Sequence, residues 1–463
     1  MYQYKGLDDT IAAIATAAGA GGVAIVRLSG KSSVEVLSKV FAAKSAGEPQ
    51  GWKANVMHYG WVKDLAGKQV DESLAVVMRA PHSFTAEDVA EIHTHGGAIA
   101  ARVALELCLK NGARLAEPGE FTRRAFLNGR IDLTQAEAVQ DMVTARTESA
   151  LRAASHQLGG ELSAELNAIR DRLMTVYAGL EAFLNFPDDD TDQGQFAGAA
   201  DNIVAIQKRL DRLLATADGG MVLRQGIRMV ICGKPNAGKS SLLNALLKHQ
   251  RAIVTDMAGT TRDTLEESAN IKGIPVNLVD TAGILEPRNK IEEEAVRRSH
   301  ASIAAADMVI LVLDRSRPLE AADLDLLSRT SSARAVIVLN KCDLPTGGVN
   351  NIAALASGRP VVEVSALSRA GLDQLEELLA SLAVKGGVPD ANGLLVTNVR
   401  HVEALGLAAQ ALRQSLEALR NKAPLEIVSE GIKAAVNRLD AITGRNIDTD
   451  AIDRIFAGFC IGK

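Results

Sequence analysis

The sequence predicts an α/β domain inserted into an all-helical domain, with an α+β domain ahead of both. Three observations carry that reading. From Gly226 the apolar runs RMVICG, VNLVD, MVILVLD, AVIVLN and VVEVS alternate with helical segments, the pattern of a largely parallel sheet covered on both faces. On either side of this region lie long stretches with helical periodicity, 132–186 before it and from about 385 to the end after it. Residues 1 to about 118 instead mix short β-type runs with turns and one helix.

In the first part, GGVAIVRLSG and ESLAVVMRA read as strands and AIAARVALELCLKNG as a helix. A capping box of Thr134 with Glu137 marks a helix start. Gly159-Gly160 interrupts that helical run, Pro187 with the following acids ends it, and a second helix is expected from about 200 to 217. The chain of 463 residues has room for about three domains. With 47% hydrophobic and 23% charged residues it has an ordinary globular composition. No apolar run reaches the ~18–20 residues of a membrane span. No cleavable signal is read at the N-terminus, and four cysteines without a CxxC pair argue against a zinc module or a disulfide framework, so a reducing cytoplasm is expected. A net charge of −5 gives no global basic field for nucleic acid, so any RNA contact is local or shared with a partner.

GKPNAGKS at 233–240 fits the P-loop pattern in its required setting, after an apolar strand and opening a helix. The backbone around Asn236, Ala237, Gly238, Lys239, Ser240 and Ser241 can wrap phosphates at a helix N-terminus. Lys239 is expected to neutralise the β- and γ-phosphates, and Ser240 to ligate Mg²⁺. In NKCD at 340–343, Asn340 and Lys341 lead to Asp343, whose carboxylate can accept from both donors on the guanine edge and so selects GTP over ATP. SAL, covering Ser365, Ala366 and Leu367, is similar to the loop that contacts the guanine oxygen. Asp280, Thr281, Ala282 and Gly283 resemble the γ-phosphate-sensing turn. Each motif falls at the C-terminal end of a strand, where open α/β sheets bind ligands. The stretch Thr255, Asp256, Met257, Ala258, Gly259, Thr260, Thr261 fills the first switch position, with Thr261 as the second Mg²⁺ ligand. Cys232 and Cys342 read as packing residues. One departure stands out. Ras-like enzymes follow the DTAG turn with a glutamine that orients water, whereas this chain has Ile284.

These motifs lie inside a helical frame. EFTRRAFLNGRIDLTQAEA stands ahead of them at 120–138, and the chain terminates in FCIGK. Together they resemble the tRNA-modifying GTPases of the MnmE (TrmE) type, over essentially the whole chain from GGVAIVRLSG through SFTAEDVAEIHTHGG to Lys463. The resemblance implies four segments: a dimerising, formyl-tetrahydrofolate-binding α+β domain at 1–119, helical domain parts at 120–225 and 387–463, and a Ras-like G domain at 226–386. It implies a homodimer that joins an FAD-dependent MnmG (GidA)-type partner in a heterotetramer and modifies C5 of the wobble uridine in certain tRNAs. It also implies that G domains pair across their nucleotides, with K⁺ in place of an arginine finger. The K⁺ ligands it carries over are Asn236, Thr255, Met257 and Thr260, and the water-positioning role falls on Glu292. The competing reading of Glu292 is a solvated acid at a helix start, and Glu293 and Glu294 stand one and two residues away.

In the N-terminal part the implied folate contacts are Arg27, Glu91, Arg130 and Lys463, with 5-formyl-tetrahydrofolate or a related one-carbon folate as ligand. Taken alone, Arg27 at the end of VAIVR reads as a surface charge. His93 and His95 share one strand face and, with no carboxylate partner evident, are expected to form hydrogen bonds and hold no metal. Cys460 lies four residues from the end of the sequence; the accompanying IGK favours a functional thiol over a frayed tail. Two positions depart from the resemblance: Ala20 in AAGAGG, where an arginine is common, and Asn185 in FLNFP, where an acid is common. The alternative function is an RNA- or ribosome-assembly GTPase without modification chemistry, but no KH-like GXXG setting is found.

Overall fold

In the computed structural model of the protein, described over residues 8–185, 198–249, 266–280, 303–347, 352, 356–384 and 389–462, the chain divides into two compact units. The first comprises residues 1–140 and 440–463, the second residues 141–439. The contact boundary thus falls beyond residue 119, where composition places it.

The first unit is built on a seven-stranded sheet ordered β3-β4-β5-β6-β2-β1-β7. Its strands are β1 (Ile11–Ile14), β2 (Val23–Ser29), β3 (Phe41–Ala43), β4 (His58–Lys63), β5 (Gln69–Met78), β6 (Val89–His95) and β7 (Arg114–Leu115). Side chains along β2 alternate as a period of two requires. Val26 and Leu28 are fully buried in one core with Leu37 of α1 (Ser33–Val40) and Leu107 of α2 (Ala98–Lys110). Arg27 falls on the other face. It lies inside β2, not at the strand end expected from the sequence, because pairing with β6 continues through Ser29.

Helix α3 (Glu120–Leu127) is held by a buried arginine. Arg124 is 1% exposed and reaches the Glu120 carboxylate at 3.0 Å, Asp9 at 2.5 Å and Glu87 at 3.3 Å. The next helix, α4 (Leu133–Thr144), begins with a capping box, but not the expected one. Asp132, not Thr134, caps it: its carboxylate accepts from the Gln135 N–H at 3.0 Å, and the Gln135 side chain accepts from the Asp132 N–H at 3.0 Å. Asp-x-x-Gln satisfies the equivalent pair of orphan donors two residues earlier.

In the second unit the helical run breaks at Gly159-Gly160 as expected, between α5 (Glu148–Leu158) and α6 (Glu161–Asn185). It continues with α7 (Ala199–Ala215) and α8 (Ala217–Gln225). Helix α7 packs against both α6 and α12 (Val399–Arg420) through Ile203, Ile206 and Leu210. Thus segments far apart in sequence close one bundle. α13 (Leu425–Thr443) follows, and α14 (Thr449–Ala457) belongs to the first unit. A six-stranded sheet, ordered β13-β12-β11-β8-β10-β9, lies between these helical segments in the chain. Its strands are β8 (Ile227–Cys232), β9 (Glu266–Ile271), β10 (Ile274–Asp280), β11 (Met308–Asp314), β12 (Ala335–Asn340) and β13 (Val361–Glu363), with only edge strand β9 antiparallel. Helices α9 (Lys239–His249), α10 (Ala321–Arg329) and α11 (Leu372–Ala383) flank it. The fully buried, β-branched strands β11 and β12 are what a two-sided parallel sheet requires.

Candidate functional site

Strand β8 delivers the chain into the P-loop at Cys232, whose thiol burial pushes up to about 12, consistent with packing. Helix α9 then opens at Lys239. Asn236 and Gly238 are in the left-handed region, with φ of 63° and 94°. A side chain at Gly238 is excluded: a Cβ there would lie 2.1 Å from the Asn340 side-chain nitrogen. That nitrogen donates to the Ala237 carbonyl at 2.9 Å, while the Asn340 side-chain oxygen accepts from the Ala366 N–H at 3.1 Å. One fully engaged amide therefore ties the P-loop to SAL. The Lys239 ammonium, nearly buried, donates to the Lys234 carbonyl at 2.9 Å.

The NKCD segment is fixed by a second tie. Lys341, itself left-handed at φ 66°, reaches Asp314 at the end of β11 at 2.6 Å. Burial raises the Asp314 pKa, but Lys341 and Ser316 outweigh it and hold the carboxyl below its usual range. Cys342 is half-buried, and its N–H donates to Val364 O at 3.1 Å. Asp343 and Leu367 are exposed and Ser365 is buried, its hydroxyl accepting from the Ser368 N–H. The structure therefore brings together Asn236, Ala237, Gly238, Lys239, Ser240, Ser241, Asn340, Lys341 and the SAL loop at the C-terminal edge of a parallel sheet. Asp280 closes β10 at that same edge. Thr255 through Thr261, Thr281, Ala282, Gly283, Ile284 and Glu292 lie outside the described residues. Asp314 was missed from sequence, although a polar residue ending an apolar central strand is the available signal.

In the first unit, β2 and β6 place Arg27 directly opposite Glu91. Arg27 Nε donates to Glu91 at 2.8 Å, and His93, two residues along on the same face, contacts the other carboxylate oxygen at 3.1 Å. Glu91 is 8% exposed. Burial raises its pKa, but His93 and Arg27 together outweigh burial and keep it ionised. The Arg27 guanidinium lies 5.8 Å from the rings of Phe84 and Phe121, and the exposed Arg130 lies 5.2 Å over Phe84 from another side. So Arg27 is no free surface charge: it pairs with Glu91 and rests on two rings.

The sequence foresaw no carboxylate partner for the histidines. The structure gives each one: His93 has Glu91, two residues back on the same face of β6, and His95 Nδ1 lies 2.7 Å from Asp71, which pairing across the sheet brings within reach. Among the described residues no group of three potential metal ligands forms. The C-terminal segment docks on this unit. The Gly119 N–H donates to Cys460 O at 3.2 Å, and at Gly462, with φ 93°, a Cβ would lie 2.4 Å from Ile14 O. Lys463 is outside the described residues.

A P-loop at a parallel sheet edge, tied to an NKxD segment, defines a guanine-nucleotide-binding hydrolase, a GTPase. Comparison with known proteins narrows the class. A family model described as "MnmE helical domain" matches residues 133–460, and one described as "GTP-binding protein TrmE N-terminus" matches residues 10–130. The chain is 44% identical over 459 residues to the tRNA modification GTPase MnmE of Alkaliphilus metalliredigens, covering 99% of this chain and 100% of that protein. It is 46% identical over 465 residues to the protein of the same name from Roseiflexus sp., covering 98% and 99%. The chain belongs to the MnmE family.

Proposed function

We propose that this protein is a K⁺-activated GTPase that, with an FAD-dependent MnmG-type partner, installs a (carboxymethyl)aminomethyl group at C5 of the wobble uridine of certain tRNAs. The observation that carries the reading is that an intact guanine-nucleotide site occurs in a chain collinear, end to end, with proteins named tRNA modification GTPase. The working form is a cytoplasmic homodimer joined to its partner in a heterotetramer.

At the nucleotide site the P-loop N–H groups hold the phosphates and Asp343 reads the guanine. Ser240 and Thr261 hold Mg²⁺. Asn236, with Thr255, Met257 and Thr260, holds K⁺ when two G domains face each other, which offsets charge that an arginine finger otherwise meets. A finger contributes ~10³–10⁵ in rate, the scale such a cation has to approach. Glu292 takes the water-positioning part that Ile284 cannot play.

The N-terminal side-chain cluster suits a one-carbon folate. A pterin needs a carboxylate for its N–H edge and an aromatic shelf, and an ionised Glu91 beside Phe84 offers both. Arg27, Arg130 and Lys463 complete the cationic side for the ligand's own carboxylates. Such a folate supplies a one-carbon unit when bound; Cys460 lies in the tail docked on the same unit and serves the modification.

The test is mass spectrometry of wobble nucleosides from a deletion strain, with and without this gene restored. C5-modified uridine is expected to vanish and return; unchanged nucleosides would leave the assembly-GTPase alternative. Purified protein should hydrolyse GTP fast in KCl and slowly in NaCl at equal ionic strength.

A further inference from the structure

Asn236 is the one non-glycine residue of the P-loop in a left-handed conformation. Such a backbone is costly for a residue with a Cβ, less so for asparagine, and persists only where its surroundings hold it. Downstream, the hold is the Asn340 amide on the Ala237 carbonyl. Upstream lies Pro235, which has a fixed φ and no N–H, so no backbone hydrogen bond can be donated there. The residue before it, Lys234, is held at both ends: its carbonyl accepts from the Lys239 ammonium at 2.9 Å and from the Ala237 N–H at 3.3 Å, and its side chain adds a further hold. Its ammonium reaches Asp323 at 2.6 Å and Glu320 at 3.1 Å. Asp323 is only 4% exposed, so the acidic end of this pair is shielded from solvent while the Lys234 ammonium is partly exposed. Both acids belong to the capping box that starts α10, so the anchor is itself fixed: Glu320 N–H donates to Asp323 at 2.9 Å. Burial lowers the Lys234 pKa, but Asp323 and Glu320 outweigh it, so the ammonium stays charged. Lys234, Asn236, Glu320 and Asp323 line one cleft beside the P-loop.

We infer that Lys234 and Asp323 are positioning residues for the monovalent-cation step of GTP hydrolysis: their ion pair holds the strained Asn236 ready for K⁺. The inference rests on the K⁺ reading given above. The β11–α10 connection then sets both halves of the site, since Asp314 holds Lys341 at one end of it and Asp323 holds Lys234 at the other. Without the pair, Asn236 samples relaxed conformations, and K⁺ has to select the competent one.

Lys234→Met removes the ammonium and leaves the α10 cap intact. Asp323→Asn removes the charge and keeps a side-chain oxygen for the cap. For both, the K⁺ concentration giving half-maximal GTP hydrolysis should rise roughly three- to tenfold, the ratio expected when a pre-set conformer becomes a minority one. Lys234→Arg should restore the unaltered value. Thermal melting and GDP titration serve as the check that each variant is folded with its phosphate cradle intact. An unshifted K⁺ dependence in Lys234→Met overturns the inference, as does a shift confined to Asp323→Asn, which would belong to the helix cap. A merely structural tie would lower melting temperature or nucleotide affinity and leave the K⁺ dependence in place. Equal hydrolysis in KCl and NaCl by the unaltered protein would instead sink the K⁺ reading itself, and this inference with it.

Discussion

The nucleotide site and the N-terminal Arg27–Glu91 cluster are made of different material. The first is built from backbone: P-loop N–H groups, two left-handed residues and an asparagine amide that fastens loop to loop. The second is built from side chains on four segments: Arg27 on β2, Glu91 and His93 on β6, Phe84 on the β5–β6 loop and Arg130 beyond α3. A backbone site depends on conformation, so its weak points are glycines and ties. A side-chain site depends on charge pairing, so its weak points are salt bridges and pH.

The sharpest break in the comparison is at Gly238. Gly238→Ala puts a Cβ against the Asn340 amide at a positive φ. Affinity for GTP and GDP should fall by roughly two orders of magnitude, with the protein still folded, as titration with a fluorescent nucleotide will read. A near-normal affinity would mean that the cradle adapts and is not a rigid backbone site.

In the first unit the largest effect should come from Arg124. Arg124→Met leaves Glu120, 2% exposed, without one of its buried cations. Breaking such a pair costs about 3 kcal/mol or more, which denaturant unfolding of the first unit will register, while the nucleotide site should be untouched. A loss below about 1 kcal/mol would place the network with ordinary surface pairs.

Acid should separate the two regions further. The folded pKa of Glu91 is depressed below its ordinary value of 4.5. Its stabilisation is therefore fully present above that value and is lost as pH falls through the lower, folded pKa. Melting of the first unit should steepen in its pH dependence below about pH 4.5, and Glu91→Gln should flatten that slope. An identical slope in both proteins would assign the acid sensitivity elsewhere.

The smallest effect concerns Phe84. Phe84→Leu keeps an apolar body but removes the ring that Arg27 and Arg130 rest on. A loss of about 1 kcal/mol in formyl-tetrahydrofolate binding is expected from calorimetry, the scale of partly exposed cation–π contacts. No loss would reduce the ring to a spacer.

The same contrast governs what was legible. GKPNAGKS, NKCD and SAL are contiguous because each is one loop leaving one strand, so order and spacing reveal the site before any packing is known. The parallel sheet was legible too, since strands buried on both faces must be continuous apolar runs, as β11 and β12 are. By contrast, the His93–Glu91–Arg27 cluster depends on β2 and β6 being neighbours in register. Nothing local in either strand specifies Arg27 opposite Glu91 or Asp71 beside His95, whereas Glu91 two residues before His93 was a period-two neighbour that the sequence reading passed over.

By itself, then, the sequence determined the kinds of element, the order of the nucleotide motifs and the family, because each is written in short-range pattern. Register determined the charge clusters, and packing determined that α7 joins helices on both sides of the inserted sheet in one bundle. The ties that hold the P-loop, Asn340 to Ala237 and Lys234 to Asp323, span 103 residues in the first case and link separate motifs in the second. Only the folded chain decides such contacts, since a hydrogen bond or ion pair between distant residues forms when many other contacts have already met the entropy cost of bringing them together.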